Sequence, residues 1–221
     1  MAEYTTDRSS ADPDQGEYQQ PFLTGVVDWD RVKPIKQALR DLDNGQFLGA
    51  SLLCELVLRD DSIRGKMATR IDGLLSKPLE WEAPVGTGSK GEEVAAAARI
   101  DWPKIAPKST QRKLMRWGRL VNLGVGEMVW DTRGPRWLPR IKVWHPQFAT
   151  WYPTEERLRL ITLGIAGQPE REQLVALPRL DREPNGDGKW LLYTPNGYDY
   201  CWREGDVAAL ATLFLIRQWC L

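Results

Sequence analysis

The stretch "LVNLGVGEMVWDTRGPRWLPRIKVWHPQFATWYP", Leu120 to Pro153, decides the fold, because the sequence pattern changes there from helical to extended. Two apolar runs, "VGEMVW" and "RWLPRIKVW", flank "DTRGP", whose Asp, Gly and Pro are typical turn residues. The stretch also holds four of the eleven tryptophans and the only histidine, His145. It predicts a β-hairpin whose aromatic side chains form an active site, a ligand-stacking surface, or the core of a structural part.

The bulk properties exclude few classes of protein. The 221 residues suffice for one large domain or two small ones with a real core. Lys plus Arg equals Asp plus Glu, at 30 each, so no global charge attracts nucleic acid or an anionic membrane. The cysteines, Cys54, Cys201 and Cys220, are far apart, which predicts reduced thiols in an intracellular protein. The longest apolar run, Val207 to Ile216, is too short to span a bilayer, so we expect no membrane partner.

The order of patterns predicts an α+β fold, with a helical front half packed on a β-rich second half. Residues 1–24 are mostly polar and predict a disordered N-terminal arm. We assign 25–221 to one domain, which is helical over 32–124 and β-rich over 125–203. The last helix, 206–221, is apolar almost all round, which predicts burial. It has no polar tail, so we expect either a longer polypeptide or a second subunit against it.

The segment "GTGSKG", Gly86 to Gly91, matches the G-x-G-x-x-G pattern of dinucleotide-binding loops. It follows the strand-like run "PLEWEAP" and precedes a helical pattern. However, that run alternates and contains Pro84, whereas the first strand of a dinucleotide fold is continuously apolar. We therefore interpret the segment as a flexible linker. A nucleotide-binding enzyme stays open as an alternative.

No residue pattern predicts catalysis, a cofactor or a metal. A triad would need His145 as its base, but His145 precedes a proline and is more typical of a turn with a structural hydrogen bond. One histidine and dispersed cysteines cannot supply a zinc shell. Glu127 lies between apolar neighbours in a predicted strand, and we expect it to form a structural ion pair with Arg136 or Arg140 across the hairpin.

The tryptophans allow two interpretations. Aromatic-rich strands are more often core and interface than platforms on which sugars or bases stack. Because successive strand residues point to opposite faces, some of these side chains must point inward and others outward. The alternative is a Trp-rich ligand-binding module. The set comprises Trp117, Trp130, Trp137, Trp144 and Trp151.

A basic helix precedes the hairpin. At helical spacing Arg112, Arg116 and Arg119 share one face, which makes them candidate phosphate-facing residues. Such a face is more often solvated, or meets an acidic face on a neighbour.

Three blocks resemble the tailed-bacteriophage portal protein family, in particular the N-terminal portion of its Mu-like and prophage-borne members. The first is "LRDDSIRGKMATRIDGLLSKPLEWEAP", a helix leading into a strand. The second is "RWGRLVNLGVGEMVWDTRGPRWLPRIKVWHPQFATWYP", and the third is "GKWLLYTPNGYDYCWREGDVAALATLFLIRQW". Their order and spacing agree with the family from about Val32 to Leu221. The family's stem, clip and crown have no match in this sequence.

The resemblance implies a structural protein and no enzyme. It implies a homo-oligomeric ring of about twelve subunits at one capsid vertex, the channel through which double-stranded DNA is packaged and ejected. Expected partners are the terminase large subunit, capsid proteins, and head-completion or tail adaptor proteins. The protein would lie in the host cytoplasm during assembly and then in the virion, unless it is a truncated prophage remnant. The expected fold-defining or interface residues of its wing-like region are Gly124, Glu127, Trp130, Trp144, His145, Pro146 and Phe148.

Overall fold

A computed structural model of the protein describes residues 32–83, 86–132, 137–162, 173–177, 188–197 and 200–220. The arm expected at 1–24 lies outside these residues. The described part consists of helices, then two β-sheets, then a last helix, so the predicted α+β class is confirmed. The helices are α1 (Val32–Asp43), α2 (Leu48–Val57), α3 (Asp61–Leu75), α4 (Gly88–Ile105), α5 (Lys108–Leu120) and α6 (Val207–Cys220). The strands are β1 (Gly124–Asp131), β2 (Leu138–Trp144), β3 (Ala149–Tyr152), β4 (Arg157–Thr162), β5 (Gln173–Ala176) and β6 (Trp190–Tyr193).

The turn between α1 and α2 requires a glycine. Gly45 has a φ of +79°, and a Cβ built on it would lie 2.3 Å from Cβ of Trp151. An L side chain is disfavoured at this φ and would also have no space. The backbone of the turn is joined to β3, because Trp151 N–H donates to Gly45 O at 2.9 Å. The turn therefore ties the helical half to the second sheet.

Both sheets are antiparallel and three-stranded, with the orders β2-β1-β6 and β3-β4-β5. The predicted hairpin is confirmed, since β1 pairs with β2 from Val125 opposite Trp144 to Asp131 opposite Leu138. In the second sheet β4 pairs with β3 on one side and with β5 on the other. The sheet β2-β1-β6 thus presents β2 as an edge strand in the described part of the chain.

Most of the core is one cluster that joins α1, α2, α5 and α6 to both sheets. Trp202 lies near its centre, only 1 % exposed, with its ring centroid 5.0 Å from that of Trp151 and 5.7 Å from that of Phe47. A smaller cluster of Ala106, Leu114 and Ile141 lies where α4 and α5 cover β2. Sheet β2-β1-β6 is therefore supported by helices over part of its length.

The linker interpretation of Gly86 to Gly91 is wrong, because α4 begins at Gly88. The run before it is not a strand either: residues 78–83 belong to no sheet, and Trp81 packs on Trp102 with ring centroids 5.2 Å apart. Arg99 also donates to Trp81 O at 2.6 Å. No described strand pairs with this run, and contacts with α4 position it instead.

Helix α5 ends at Leu120, and Asn122, two residues later, adopts a positive φ of 53°. Gly124 is the first residue of β1. Helix α6 is confirmed, but only one face of it is buried, through Val207, Ala211 and Phe214.

Candidate functional site

The polar residues at the base of the hairpin contact one another. Trp144 Nε1–H donates to Glu127 Oε2 at 3.0 Å, and Lys189 Nζ lies 3.4 Å from Glu127 Oε1. Trp190 stands directly opposite Glu127 on β6. The carboxylate thus links β1 to Trp144 on β2 and to Lys189 just before β6, which is a structural arrangement.

The prediction that Glu127 forms an ion pair with Arg140 on β2 is wrong. Arg140 lies two residues closer to the hairpin turn than Lys142, and its guanidinium pairs with Asp131 at 3.4 Å. The register explains the difference, because Glu127 stands opposite Lys142 and not opposite Arg140. Arg136, the other expected partner, lies outside the described residues.

His145 has a structural hydrogen bond, as predicted. Its Nδ1 accepts from Gln147 N–H at 3.2 Å and so caps the short 3-10 helix Pro146–Phe148. The neutral ring then carries its proton on Nε2, which lies 3.0 Å from Glu55 Oε1 on α2. This hydrogen bond holds the pKa of Glu55 below its usual value, against the opposing effect of burial. The edge of the imidazole also contacts Trp117, with ring centroids 4.5 Å apart.

Large apolar side chains are exposed among the described residues on either side of the hairpin turn. Trp130 is 57 % exposed and Trp137 66 %, and Val129 between them and the base is also exposed. Trp130 stands opposite Pro139, near the end of the ladder. An exposed group of large apolar side chains is informative, whereas a single exposed one is not. The hairpin therefore has a structural base and, towards its turn, two exposed tryptophans, Trp130 and Trp137.

The basic face predicted on α5 is divided between different neighbours. Arg112 Nε lies 2.7 Å from Asp72 Oδ1 on α3, and Arg119 lies 2.6 Å from Asp206 Oδ2 before α6. Arg116 is exposed and lines a cleft of about 60 Å³ between α3 and α5. Two of the three guanidinium groups are thus engaged by carboxylates.

The family model for the portal protein of Mu bacteriophage matches residues 50–221. The chain belongs to this portal protein family. The match begins within α2 and includes both sheets and α6. No individual characterised protein matches the sequence significantly.

Membership of the portal family gives the chain a structural role in phage assembly, in the portal ring of the capsid. The family is structural and not enzymatic. Neither the nucleotide-binding nor the ligand-binding alternative is favoured. In the described ranges, no group of three or more His, Cys, Asp and Glu could hold a metal ion. No helix among those same residues is long and apolar enough to cross a membrane.

Three residues that form or expose contact surfaces in this structure were not identified from the sequence: Glu55, Leu213 and Ile216. The role of Glu55 as the partner of His145 had no local signal, because the two residues are 90 positions apart. The exposed Leu213 and Ile216 on α6 had a signal, since the helix was apolar on every side. That pattern indicated a second contact surface as well as a buried one.

Proposed function

We propose that the chain is the repeating subunit of a ring of about twelve copies at one capsid vertex. Double-stranded DNA would pass through this ring during packaging and ejection. The terminase large subunit would dock first, and head-completion or tail adaptor proteins would follow. The subunit would assemble in the host cytoplasm and stay at the portal vertex of the virion. The family match over 50–221 carries this proposal.

The residues at the base of the hairpin support a fold-defining role and no chemistry. A Cβ on Gly124 would lie 2.7 Å from Leu114 O, so only glycine lets β1 approach α5 this closely. Glu127 and Trp144 are hydrogen-bonded to each other, and Phe148 packs edge-on against Trp144 with centroids 6.0 Å apart. We assign these residues, with His145 and Pro146, to folding of the subunit. We assign Trp130 to contacts between subunits.

A phosphate contact by Arg112, Arg116 and Arg119 stays a prediction. Within the described residues Arg116 has no ion-pair partner, so its guanidinium is the one available to a DNA phosphate. Guanidinium groups bind phosphate in a bidentate geometry. We therefore expect Arg116→Gln to weaken DNA retention by assembled rings more than Arg112→Gln does, measured by nuclease protection.

Negative-stain electron microscopy of the purified full-length protein tests the proposed function. We expect ring-shaped particles with a central hole. Circular dichroism and size-exclusion chromatography of the same sample establish that the protein is folded. A folded, compact monomer across the concentration range would contradict the ring proposal.

A further inference from the structure

A short connection leads from one sheet to the other, and the only histidine of the sequence begins it. Strand β2 of the sheet β2-β1-β6 ends at Trp144, and strand β3 of the sheet β3-β4-β5 begins at Ala149. Between them lie His145 and the 3-10 helix Pro146–Phe148. Histidine is the side chain that changes charge between about pH 5 and pH 8. A proton taken up by His145 therefore acts at a junction between the two sheets.

The connection is held by backbone amides that donate within it. Gln147 N–H donates to His145 Nδ1 at 3.2 Å, and Phe148 N–H donates to His145 O at 3.2 Å. Ala149 N–H donates to Pro146 O. Two of these acceptors are backbone carbonyls, whereas the third is an imidazole nitrogen, which can itself take up a proton.

Protonation affects the two nitrogens of the ring differently. Nε2 lies 3.0 Å from Glu55 Oε1 and can donate to it whether the ring is neutral or charged. Nδ1 accepts in the neutral ring, but in the charged ring both nitrogens carry protons, so Nδ1 and Gln147 N–H become two donors that face each other. Rotation of the ring does not restore an acceptor, since neither nitrogen then has a free lone pair. The charged ring can therefore keep its contact with α2 and must lose its bond within the connection.

We propose that His145 is a pH-sensitive cap of the connection between the two sheets. The neutral ring closes the 3-10 helix Pro146–Phe148 by accepting from Gln147 N–H. A proton on Nδ1 opens this helix, while the ring stays bound to Glu55. The start of β3 is thereby loosened relative to α2. The device lies within one subunit and acts whether or not the subunit is in a ring.

The surroundings of the ring allow this reaction. The histidine side chain is 22 % exposed, so a proton can reach it from solvent. Among the described residues, Glu55 is the only charged group within ion-pair distance of the ring. The hydrogen bond from the ring holds the pKa of Glu55 below its usual value, so this carboxylate is ionised over the pH range in which a histidine gains its proton.

The other elements around the ring present no charge to it at contact distance within the described residues. Helix α5 contributes the uncharged Trp117, whose ring centroid lies 4.5 Å from that of the imidazole. On the sheet, Lys142 Nζ lies over the ring of Trp144 and Glu127 accepts from its Nε1–H, so both charges contact the tryptophan. The charged residues on the elements that pack around the ring are Glu55 and Arg59 beside α2, Lys113 and Arg116 on α5, Lys142 on β2 and Glu127 on β1.

Hydrogen exchange of the full-length protein, followed by mass spectrometry, tests the cap. Exchange of the imidazole C2 hydrogen gives the pH at which the ring takes up its proton. Amide exchange of the peptide that spans 145–149, relative to an unstructured peptide at each pH, gives the protection of the connection. We expect this protection to fall about 3- to 30-fold as the ring becomes charged, with the same midpoint, because an N-cap acceptor is lost. Protection of β1 should stay unchanged over the same range, which shows that the subunit is folded.

The matched control variant is His145→Asn. An asparagine side chain accepts from the amide two residues later, and its oxygen does not titrate in this range. We expect this variant to keep its connection protected to within about threefold between pH 5 and pH 8. His145→Ala, which offers no side-chain acceptor, should show low protection at both values. A pH-dependent loss of protection that persists in His145→Asn would overturn the proposal.

Glu55→Gln separates the cap from the ion pair. Glutamine keeps an oxygen for the Nε2–H of His145 and removes the charge. The cap depends on Nδ1, so protection of the connection and protonation of the ring should still share one midpoint in this variant. Loss of that coupling in Glu55→Gln would show that the carboxylate, and not the cap, controls the connection. Wild-type protection that does not change when the ring becomes charged would also overturn the proposal.

Discussion

Two regions of the molecule use tryptophan in opposite ways. In the core, Trp151 and Trp202 pack against each other and against the turn at Gly45. At the hairpin tip, Trp130 and Trp137 are more than half exposed. The residue type is the same, and three of the four come from the same short stretch of sequence. The difference shows that packing against neighbouring helices and strands, and not the residue type, decides whether an aromatic side chain stabilises the subunit.

The sheets show where this support ends. β3 is held by β4, by a backbone bridge from Gln46 and by the Gly45 turn, so Trp151 is covered on several sides. Within the described residues β1 pairs with β6 from Gly124 to Glu127, Met128 N–H also donates to Lys189 O, and beyond this point β1 continues towards the turn beside β2. A two-stranded ribbon cannot bury both of its faces. The same chain therefore forms a closed core at one end and an open surface at the other.

The largest expected effect is in the core. Trp202→Ala should lower the free energy of unfolding by about 3–5 kcal/mol, because it leaves a cavity between Phe47 and Trp151. Urea unfolding followed by circular dichroism measures the change. Trp202→Phe, which fills part of the space, should lose clearly less. A loss below about 1 kcal/mol for Trp202→Ala would show that the aromatic cluster is not the centre of the core.

The Gly45 turn should be the next most sensitive position. Gly45→Ala combines a disfavoured positive φ with a clash against Trp151, and we expect a loss of about 2–4 kcal/mol. Gly65→Ala is the matched control, since Gly65 lies within α3 with nothing within 4 Å of an added Cβ. That substitution should stabilise the protein by about 0.5–1 kcal/mol. Equal effects from both variants, in the same urea assay, would contradict the packing assigned to the turn.

The Glu55–His145 hydrogen bond predicts a smaller, pH-dependent effect. Because the folded pKa of Glu55 is lowered, the stabilisation is complete above the carboxyl's usual pKa of about 4.3 and is lost as pH falls through the folded value. The pair is partly exposed, so we expect less than about 1 kcal/mol.

Urea unfolding of wild type and Glu55→Gln between pH 6 and pH 3 measures this effect. The wild type should lose more stability on acidification than the variant. Glu80→Gln, at an exposed position outside the helices, should behave like the wild type. Parallel pH profiles for the wild type and Glu55→Gln would show that this carboxylate contributes nothing to acid sensitivity.

The smallest effect on the single subunit should be at the tip. Trp137→Ala should change the free energy of unfolding by no more than about 0.5 kcal/mol, because its side chain is mostly solvated. Acrylamide quenching of tryptophan fluorescence should lose part of its accessible component in this variant. A loss of stability like that of Trp202→Ala would remove the distinction between the two regions.

Local patterns predicted much of the fold. The turn residues between the apolar runs indicated the β1–β2 hairpin, and the proline after His145 indicated a turn. Each depends on neighbours in sequence, where backbone preferences act directly. The alternating run at 78–83 was misread, because a strand needs a partner and the described part of the chain supplies none. Likewise Glu127 was assigned a partner by nearness in sequence, whereas the register and Lys189, just before β6, decided its contacts.

The sequence by itself determined the α+β order, the hairpin, the lack of a pattern for catalysis and the resemblance to portal proteins. All of these rest on periodicity, turn chemistry and residue types, which are local properties. Only the tertiary structure decided which tryptophans are buried, which arginines on α5 are engaged by carboxylates, and which face of α6 is left open. The physical reason is that burial and pairing depend on elements far apart in the chain, and their relative positions are set by packing the whole core.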